Sequence, residues 1–267
     1  FRMEILSMRL GIIGGGNLST AIVKGAKGKI DQIIVSDKDS EKISKLQHYK
    51  VKTTNSNIEV INESDYIILA VKPDLYKMVL NEIKPYYKGK VLITVAPGIS
   101  IRFVKNILGD DAQVIRTGPN TPVMLEEGMT VMAYEAPVTK DTFNEAKKIF
   151  ELLGKTMVLE EDLMDAAVPV SGGSPAYVFM FIEAMADASV LFGIPRDKSY
   201  ILAAQSVLGA AKLVLETGEH PGTLKDMVCS PGGTTIEAVH QLEKDNMRAS
   251  IINAMIRSYD KAKKMSK

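Results

Sequence analysis

The stretch Asp226-Met-Val-Cys-Ser-Pro-Gly-Gly-Thr-Thr-Ile-Glu-Ala238 gathers hydroxyls and pliable backbone in one place. Its order reads as a helix end, a glycine turn and the start of another helix. Pro231 fixes one φ angle, and Gly232 and Gly233 allow the positive φ values that a sharp turn demands. Thr234 and Glu237 stand in capping-box spacing, which predicts that the Thr234 side chain accepts from the Glu237 backbone N–H. A turn that opens a helix presents unpaired amides and the positive end of the helix dipole, a seat for a carboxylate or a phosphate. A capped helix with no ligand accounts for the same residues, so the rest of the chain has to decide.

A second constellation lies near the start. Arg9-Leu-Gly-Ile-Ile13 reads as a buried strand, and Gly14-Gly-Gly-Asn-Leu-Ser19 as a glycine turn with a helix from Asn17 to Lys27. Against the pattern G-x-G-x-x-G/A, Gly14 makes the tight turn, Gly16 lets backbone approach a pyrophosphate, and Ser19 supplies the small third residue. Gln32-Ile-Ile-Val-Ser36 is the next strand and ends in Ser36-Asp37-Lys38, where the adenosine ribose of a dinucleotide belongs. Asp37 suits the ribose hydroxyls of NAD(H), whereas Ser36 and Lys38 suit the 2′-phosphate of NADP(H). These signals oppose each other, with a slight lean to NADP(H). Asp37 to Glu41 also reads as a helix cap and a solvated first turn.

These groups need a scaffold. Tyr66–Val71, Val91–Val95 and Gln113–Arg116 read as further strands, separated by helices at Asn57–Asn62, Leu75–Ile83 and Ser100–Leu108. Strands spaced by helices predict a parallel sheet covered on both faces, with ligands at the carboxyl ends of the strands. The loops there are Ala70-Val-Lys-Pro73, Ala96-Pro-Gly98 and Thr117-Gly-Pro-Asn-Thr-Pro122; ordinary turn chemistry explains each of them equally well. Thr130–Ala133, a helix over Lys140–Leu153, and Thr156–Leu159 extend the sheet at its far edge.

Beyond Glu160 the pattern becomes helical, with a short helix over Asp162–Val170, then Ala176–Phe192, a helix opened by Pro195 and running to Thr217, and Met247–Lys264. The Ala176–Phe192 helix is apolar on nearly every side, with Tyr177, Phe179, Met180, Phe181, Ile182 and Met185. Helices of this kind have to be covered, which predicts a partner subunit. Core or dimer packing outweighs a cofactor box as the reading of that Met and Phe stripe. Glu183 and Asp187, one turn apart, fit hydrogen-bonding roles better than a catalytic pair. The fold class is therefore an α/β Rossmann-type dinucleotide-binding domain over residues 1–161, followed by an all-α domain over 162–267 for substrate binding and dimerisation.

Composition narrows the chemistry. The 267 residues carry 33 Lys and Arg against 32 Asp and Glu, a net charge of +1 that gives no field for nucleic acid or an anionic membrane. The single cysteine, Cys229, excludes an intrachain disulfide and points to a reducing cytoplasm. No apolar run reads as a membrane span, and the start is not a signal peptide. Residues before Arg9 stand outside the pattern, as an alternative start or an appended segment would. His48, His220 and His240 lie in no metal spacing, no G-x-S-x-G elbow occurs, and Ser171 has no evident base. Hydride transfer from a nicotinamide fits best, because the cofactor carries the hard step while the protein supplies position and charge.

On these motifs the chain resembles pyrroline-5-carboxylate reductase, the family that reduces a cyclic imine to L-proline. The resemblance spans Ile13-Gly-Gly-Gly-Asn-Leu18, Ala70-Val-Lys-Pro73, Pro119-Asn-Thr-Pro122, Ser171–Glu183 and, most specifically, Asp226–Ala238. It implies that Ser230, Gly232, Gly233 and Thr234 seat the substrate carboxylate and that Thr235 hydrogen-bonds the ring nitrogen. It implies a cofactor lined by Ile13, Gly14, Gly15, Gly16, Asn17, Leu18, Ser36, Asn57, Ala70, Val71, Lys72, Pro73, Val95, Ala96 and Pro97. It also implies self-association as a homodimer or an oligomer of dimers, and a cleft in which a nucleotide-holding half and an entwined helical half grip the imine.

Two positions depart from the family pattern: Gly173-Ser174 inverts the middle of Ser-Gly-Ser-Gly-Pro-Ala-Tyr, and Gly118 replaces a methionine. They leave room for a regulatory paralogue without turnover. A hydroxy-acid dehydrogenase of the same plan requires a helical-domain lysine, and none follows Ser171 until Lys198.

Overall fold

The hydrophobic runs of the first half have one stable solution, a sheet whose two faces are both covered. The computed structural model describes residues 6–266. The strands β1 (Leu6–Ile13), β2 (Ile30–Ser36), β3 (Lys52–Thr54), β4 (Tyr66–Leu69), β5 (Val91–Thr94), β6 (Gln113–Pro119), β7 (Gly128–Tyr134) and β8 (Gly154–Val158) form one sheet. Their order is β3-β2-β1-β4-β5-β6-β7-β8, and every pairing is parallel except β6 with β7.

Alternation along the strands sorts side chains to the two faces. Ile12, Ile68 and Ile93 join one core cluster with Ile22, Phe143 and Phe150, from α1 (Asn17–Ala26) and α6 (Lys140–Glu151). Ile13, Ile67 and Leu92 join the other with Val60, Leu80 and Val104, from α3 (Asn57–Glu63), α4 (Tyr76–Ile83) and α5 (Ile101–Leu108). Burial of each such aliphatic side chain stabilises the fold by about 1.5–3 kcal/mol. The remaining helix of this half, α2 (Ser40–Gln47), is capped by Asp39, which accepts from the Glu41 N–H.

The sheet differs from the sequence expectation in three places. β1 starts at Leu6, before Arg9, because the Leu6 N–H bonds the Lys29 carbonyl at 2.8 Å; residues 1–5 lie outside the described residues. β3 has no apolar run to announce it, being three half-exposed or exposed residues beside β2. β6 runs on to Pro119 because the antiparallel β7 supplies a ladder as far as Pro119 and Thr130.

Contacts divide the chain into residues through Gly173 with Ser258 onward, and Ser174–Arg257. The short helix α7 (Met164–Ala167) belongs to the first unit, since Met164 and Ala167 pack on Val131 and Ala133. A π-helical turn, Val168–Gly172, follows it.

The second unit holds α8 (Ser174–Leu191), α9 (Arg196–Thr217), α10 (Pro221–Val228), α11 (Thr234–Lys244) and most of α12 (Met247–Met265). Only Ala186 of α8 and Ser199 and Ala203 of α9 are buried, while Phe179 is 64% and Leu191 86% exposed. An apolar surface of this extent marks an association face. The expectation that no run reaches membrane length needs correcting. The continuous helical stretch Glu161–Leu191 contains an 18-residue window of mean hydropathy 1.2, long and apolar enough by length and composition to cross one. It became continuous because the π turn carries the chain through Pro169 and into α8. The stretch also carries Asp165, held by Arg116 at 2.6 Å.

Candidate active site

β1 ends at Ile13, and the chain turns at Gly14 with φ at 109°, a conformation that favours glycine. A Cβ on Gly14 would lie 2.5 Å from the Ala70 carbonyl oxygen at the end of β4. The Gly14 N–H donates to the Ser36 carbonyl at 2.8 Å, and Ser19 returns a hydroxyl to the Gly14 carbonyl. The Gly15 N–H donates to Asp37 Oδ2 at 2.7 Å. Gly16 is the N-cap of α1 with no side-chain cap, and a Cβ added there meets nothing within 4 Å. The turn is thus tight at Gly14, tethered at Gly15 and open at Gly16, the form needed for a pyrophosphate on the first-turn amides of α1.

A cavity of about 500 Å³ runs past this turn along the strand ends, lined by Ile13, Gly14, Gly16, Ser36, Asn57, Ala70, Val71 and Lys72 among others. Gly15, Asn17, Leu18 and Pro73 flank it: Gly15 turns to Asp37, Asn17 begins α1, Leu18 packs on the core, and Pro73 opens a 3₁₀ turn. The Ser36 hydroxyl donates to Asn57 Oδ1 at 2.7 Å, and Asn57 Nδ2 donates to Glu82 at 2.9 Å.

Asp37 is more committed than its position suggests. Burial pushes its carboxyl up, but the N–H groups of Gly15 and Asp39 and the nearby Lys42 outweigh this and hold it below the usual carboxylate range. Lys42 lines the same cavity beside Lys38. Within the charge-rich start of α2, nothing in the sequence singles Lys42 out.

Val95, Ala96 and Pro97 line a second cavity of about 290 Å³, with Thr117, Gly118 and Ser171–Gly173. Arg116 also lines it and escaped the sequence reading. Its side chain is 7% exposed and bonds Asp165 at 2.6 Å and Glu161 at 3.5 Å. Glu161 in turn accepts from the Ile101 N–H at the start of α5 at 2.7 Å. Asn120 ties this wall together, donating to the Ser171 carbonyl at 3.0 Å and accepting from the Met129 N–H at 2.9 Å. Both departures from the family pattern fall here. Gly118 lies on the cavity wall, where an added Cβ would come 3.0 Å from Val131 Cγ2, and Gly173 follows the π turn just before Ser174 begins α8.

In the helical unit, α10 ends at Cys229 and the chain reverses over Ser230–Gly233. Gly232 takes φ at 68°, and the Gly233 N–H donates to the Ser230 carbonyl at 3.0 Å. The capping-box expectation fails. With Gly232 making the left-handed step, α11 begins one residue early, so Gly233 is the N-cap and Thr234 already lies inside the helix. The Glu237 N–H faces the Gly233 carbonyl at 3.5 Å, and no side chain caps the helix. Gly233 needs no positive φ, with φ at −83°, but a Cβ there would lie 2.3 Å from Ser230 Oγ. The turn is exposed at Ser230, Gly232 and Thr234 and half-buried at Gly233 and Thr235. Uncapped first-turn amides beside three hydroxyls are the groups that an anion seat requires.

A glycine turn at the head of a doubly wound sheet, with cavities along the strand ends, defines a dinucleotide-dependent oxidoreductase domain. Residues 9–98 match the family described as NADP oxidoreductase, coenzyme F420-dependent, and residues 161–265 match pyrroline-5-carboxylate reductase dimerisation, a self-association module. The chain is 44% identical to the pyrroline-5-carboxylate reductase of Escherichia coli over 98% of its own length and 100% of that protein. The solved pyrroline-5-carboxylate reductase of Coxiella burnetii matches with TM-score 0.92 at 33% identity, over 98% of this chain and 99% of that one. The Plasmodium falciparum pyrroline carboxylate reductase, solved with NADP bound, matches with TM-score 0.87 at 30% identity, over 98% of this chain and 100% of that one. The chain belongs to the pyrroline-5-carboxylate reductase family.

Proposed function

We propose that this chain reduces 1-pyrroline-5-carboxylate to L-proline with NAD(P)H, the last step of proline biosynthesis, as a cytoplasmic homodimer or oligomer of dimers. The observation that carries this is the uncapped glycine turn at Ser230–Gly233. The substrate is a small anion, and this turn offers it main-chain amides with no side chain competing for them. Ser230, Gly232, Gly233 and Thr234 seat the carboxylate, and Thr235 hydrogen-bonds the ring nitrogen. The imine arrives at least partly protonated, so its carbon is already electrophilic and no strong general base is required. When bound, the reduced nicotinamide supplies the hydride that this carbon accepts. Fixing the ring spares the entropy of finding the reactive geometry.

A bound cofactor would be held along the strand ends. Ile13–Leu18 place the pyrophosphate, and Ser36, Asn57 and Ala70–Pro73 flank the adenosine side. Val95–Pro97 flank the nicotinamide side. NADP(H) is slightly favoured over NAD(H), because Asp37 is engaged by the Gly15 and Asp39 amides and by Lys42 at 3.4 Å, while Lys38 adds positive charge where a 2′-phosphate belongs. The exposed apolar faces of α8 and α9 support the dimer.

Oxidation of NADPH and NADH, followed with 1-pyrroline-5-carboxylate as acceptor, tests both points. Turnover is expected with each cofactor, with the higher kcat/KM for NADPH. A protein that binds both cofactors yet turns over with neither is a regulatory paralogue.

A further inference from the structure

Tyr76 is fully buried at the start of α4, and no chemistry proposed above uses its hydroxyl. That hydroxyl donates to the Leu69 carbonyl and accepts from the Val95 N–H at 3.3 Å, with the Ala96 N–H directed at the same oxygen. Burial holds the phenol well above its ordinary range, so it stays a neutral donor at any working pH. The ladder between β4 and β5 ends at the pair Leu69 and Thr94. Immediately beyond it, one chain leaves as Ala70–Lys72 to line the larger cavity and the other as Val95–Pro97 to line the smaller. A single side-chain oxygen therefore continues the pairing after the backbone has stopped pairing.

We propose that Tyr76 is a positioning residue for the dinucleotide, its hydroxyl fixing the spacing between the loop after β4 and the loop after β5 so that both cavities fit one cofactor. This rests on the NAD(P)H reading above. A purely structural role makes a different prediction, and Tyr66 is its control. Tyr66 sits at the opposite end of β4, where its hydroxyl donates to Glu145 of α6, and it lines neither cavity.

The test compares the unsubstituted protein, Tyr76→Phe and Tyr66→Phe by NADPH titration, steady-state kinetics and thermal melting. Losing the tie is expected to raise the Kd for NADPH about fivefold or more in Tyr76→Phe, while kcat at saturating NADPH stays within about twofold. Tyr66→Phe is expected to lower Tm without moving that Kd. A Tyr76→Phe protein that binds NADPH as tightly as its parent overturns the proposal, whatever its Tm. If that variant does not fold, amide exchange in the unsubstituted protein decides. A protected Val95 N–H that NADPH protects further supports the tie, and fast or NADPH-insensitive exchange overturns it. A parent that binds neither cofactor overturns the proposed function and this proposal with it, an outcome distinct from a parent that binds well and a variant that binds equally well.

Discussion

Thr235→Ala is expected to lower kcat/KM for 1-pyrroline-5-carboxylate by about 100-fold or more, the scale of losing one hydrogen bond aimed at the reacting group. Thr235→Ser is expected to keep a good part of the rate. Thr235 is the second residue of α11 and half-buried. Alanine is a better helix former than threonine, so the substitution does not endanger the helix. It takes away the hydroxyl and leaves the neighbouring amides that seat the carboxylate. The serine variant restores the oxygen without the methyl group. NADPH affinity should be unchanged in both variants, because Thr235 lines neither of the two cavities along the strand ends. Equal rates for all three proteins would remove Thr235 from the mechanism.

Gly16→Val is expected to abolish cofactor binding while leaving the fold intact. The backbone at Gly16 is extended, with φ at −77° and ψ at −170°, a conformation that valine adopts readily. No protein atom lies within 4 Å of an added Cβ, so the branched side chain projects into the space above the first turn of α1. A pyrophosphate needs that same space to reach the amides. The Kd for NADPH should rise by about 100-fold or more, on the scale of excluding several charge-assisted hydrogen bonds. Tm without cofactor should fall by no more than about 4 °C, the scale of replacing a favoured N-cap glycine at about 1 kcal/mol. Gly14→Ala makes the contrast. There the positive φ and the 2.5 Å approach to the Ala70 carbonyl damage the turn itself, so affinity and Tm fall together. A Gly16→Val protein that binds NADPH normally would move the pyrophosphate away from this turn.

How much of this was visible in the sequence depends on what specifies each feature. Strands buried on both faces announce themselves, and Tyr66-Ile-Ile-Leu69 and Val91-Leu-Ile-Thr94 were legible because nothing else accounts for such runs. The glycine turn after β1 was legible for the same reason: few residues tolerate what Gly14 does. β3 was not, since its partner is chosen by β2 and not by any apolar pattern of its own. The Thr234 cap was misplaced by one residue because both Gly232 and Gly233 permit the left-handed step, and only the folded turn shows that Gly232 takes it. Arg116 looked like an unremarkable strand residue. Its burial is tolerable only because Glu161 and Asp165, distant in sequence, neutralise it. Asp37 was recognised as a residue near the ribose, yet its tether to the Gly15 amide requires a turn that the sequence does not describe in three dimensions.

The most direct measurement is a crystal structure of the protein soaked with L-proline. Its carboxylate is expected to rest on the free first-turn amides of α11, those of Thr234 and Thr235, with the ring nitrogen within hydrogen-bond reach of the Thr235 hydroxyl. Proline bound elsewhere, with side chains plugging the Ser230–Gly233 turn, would contradict a main-chain seat for the substrate.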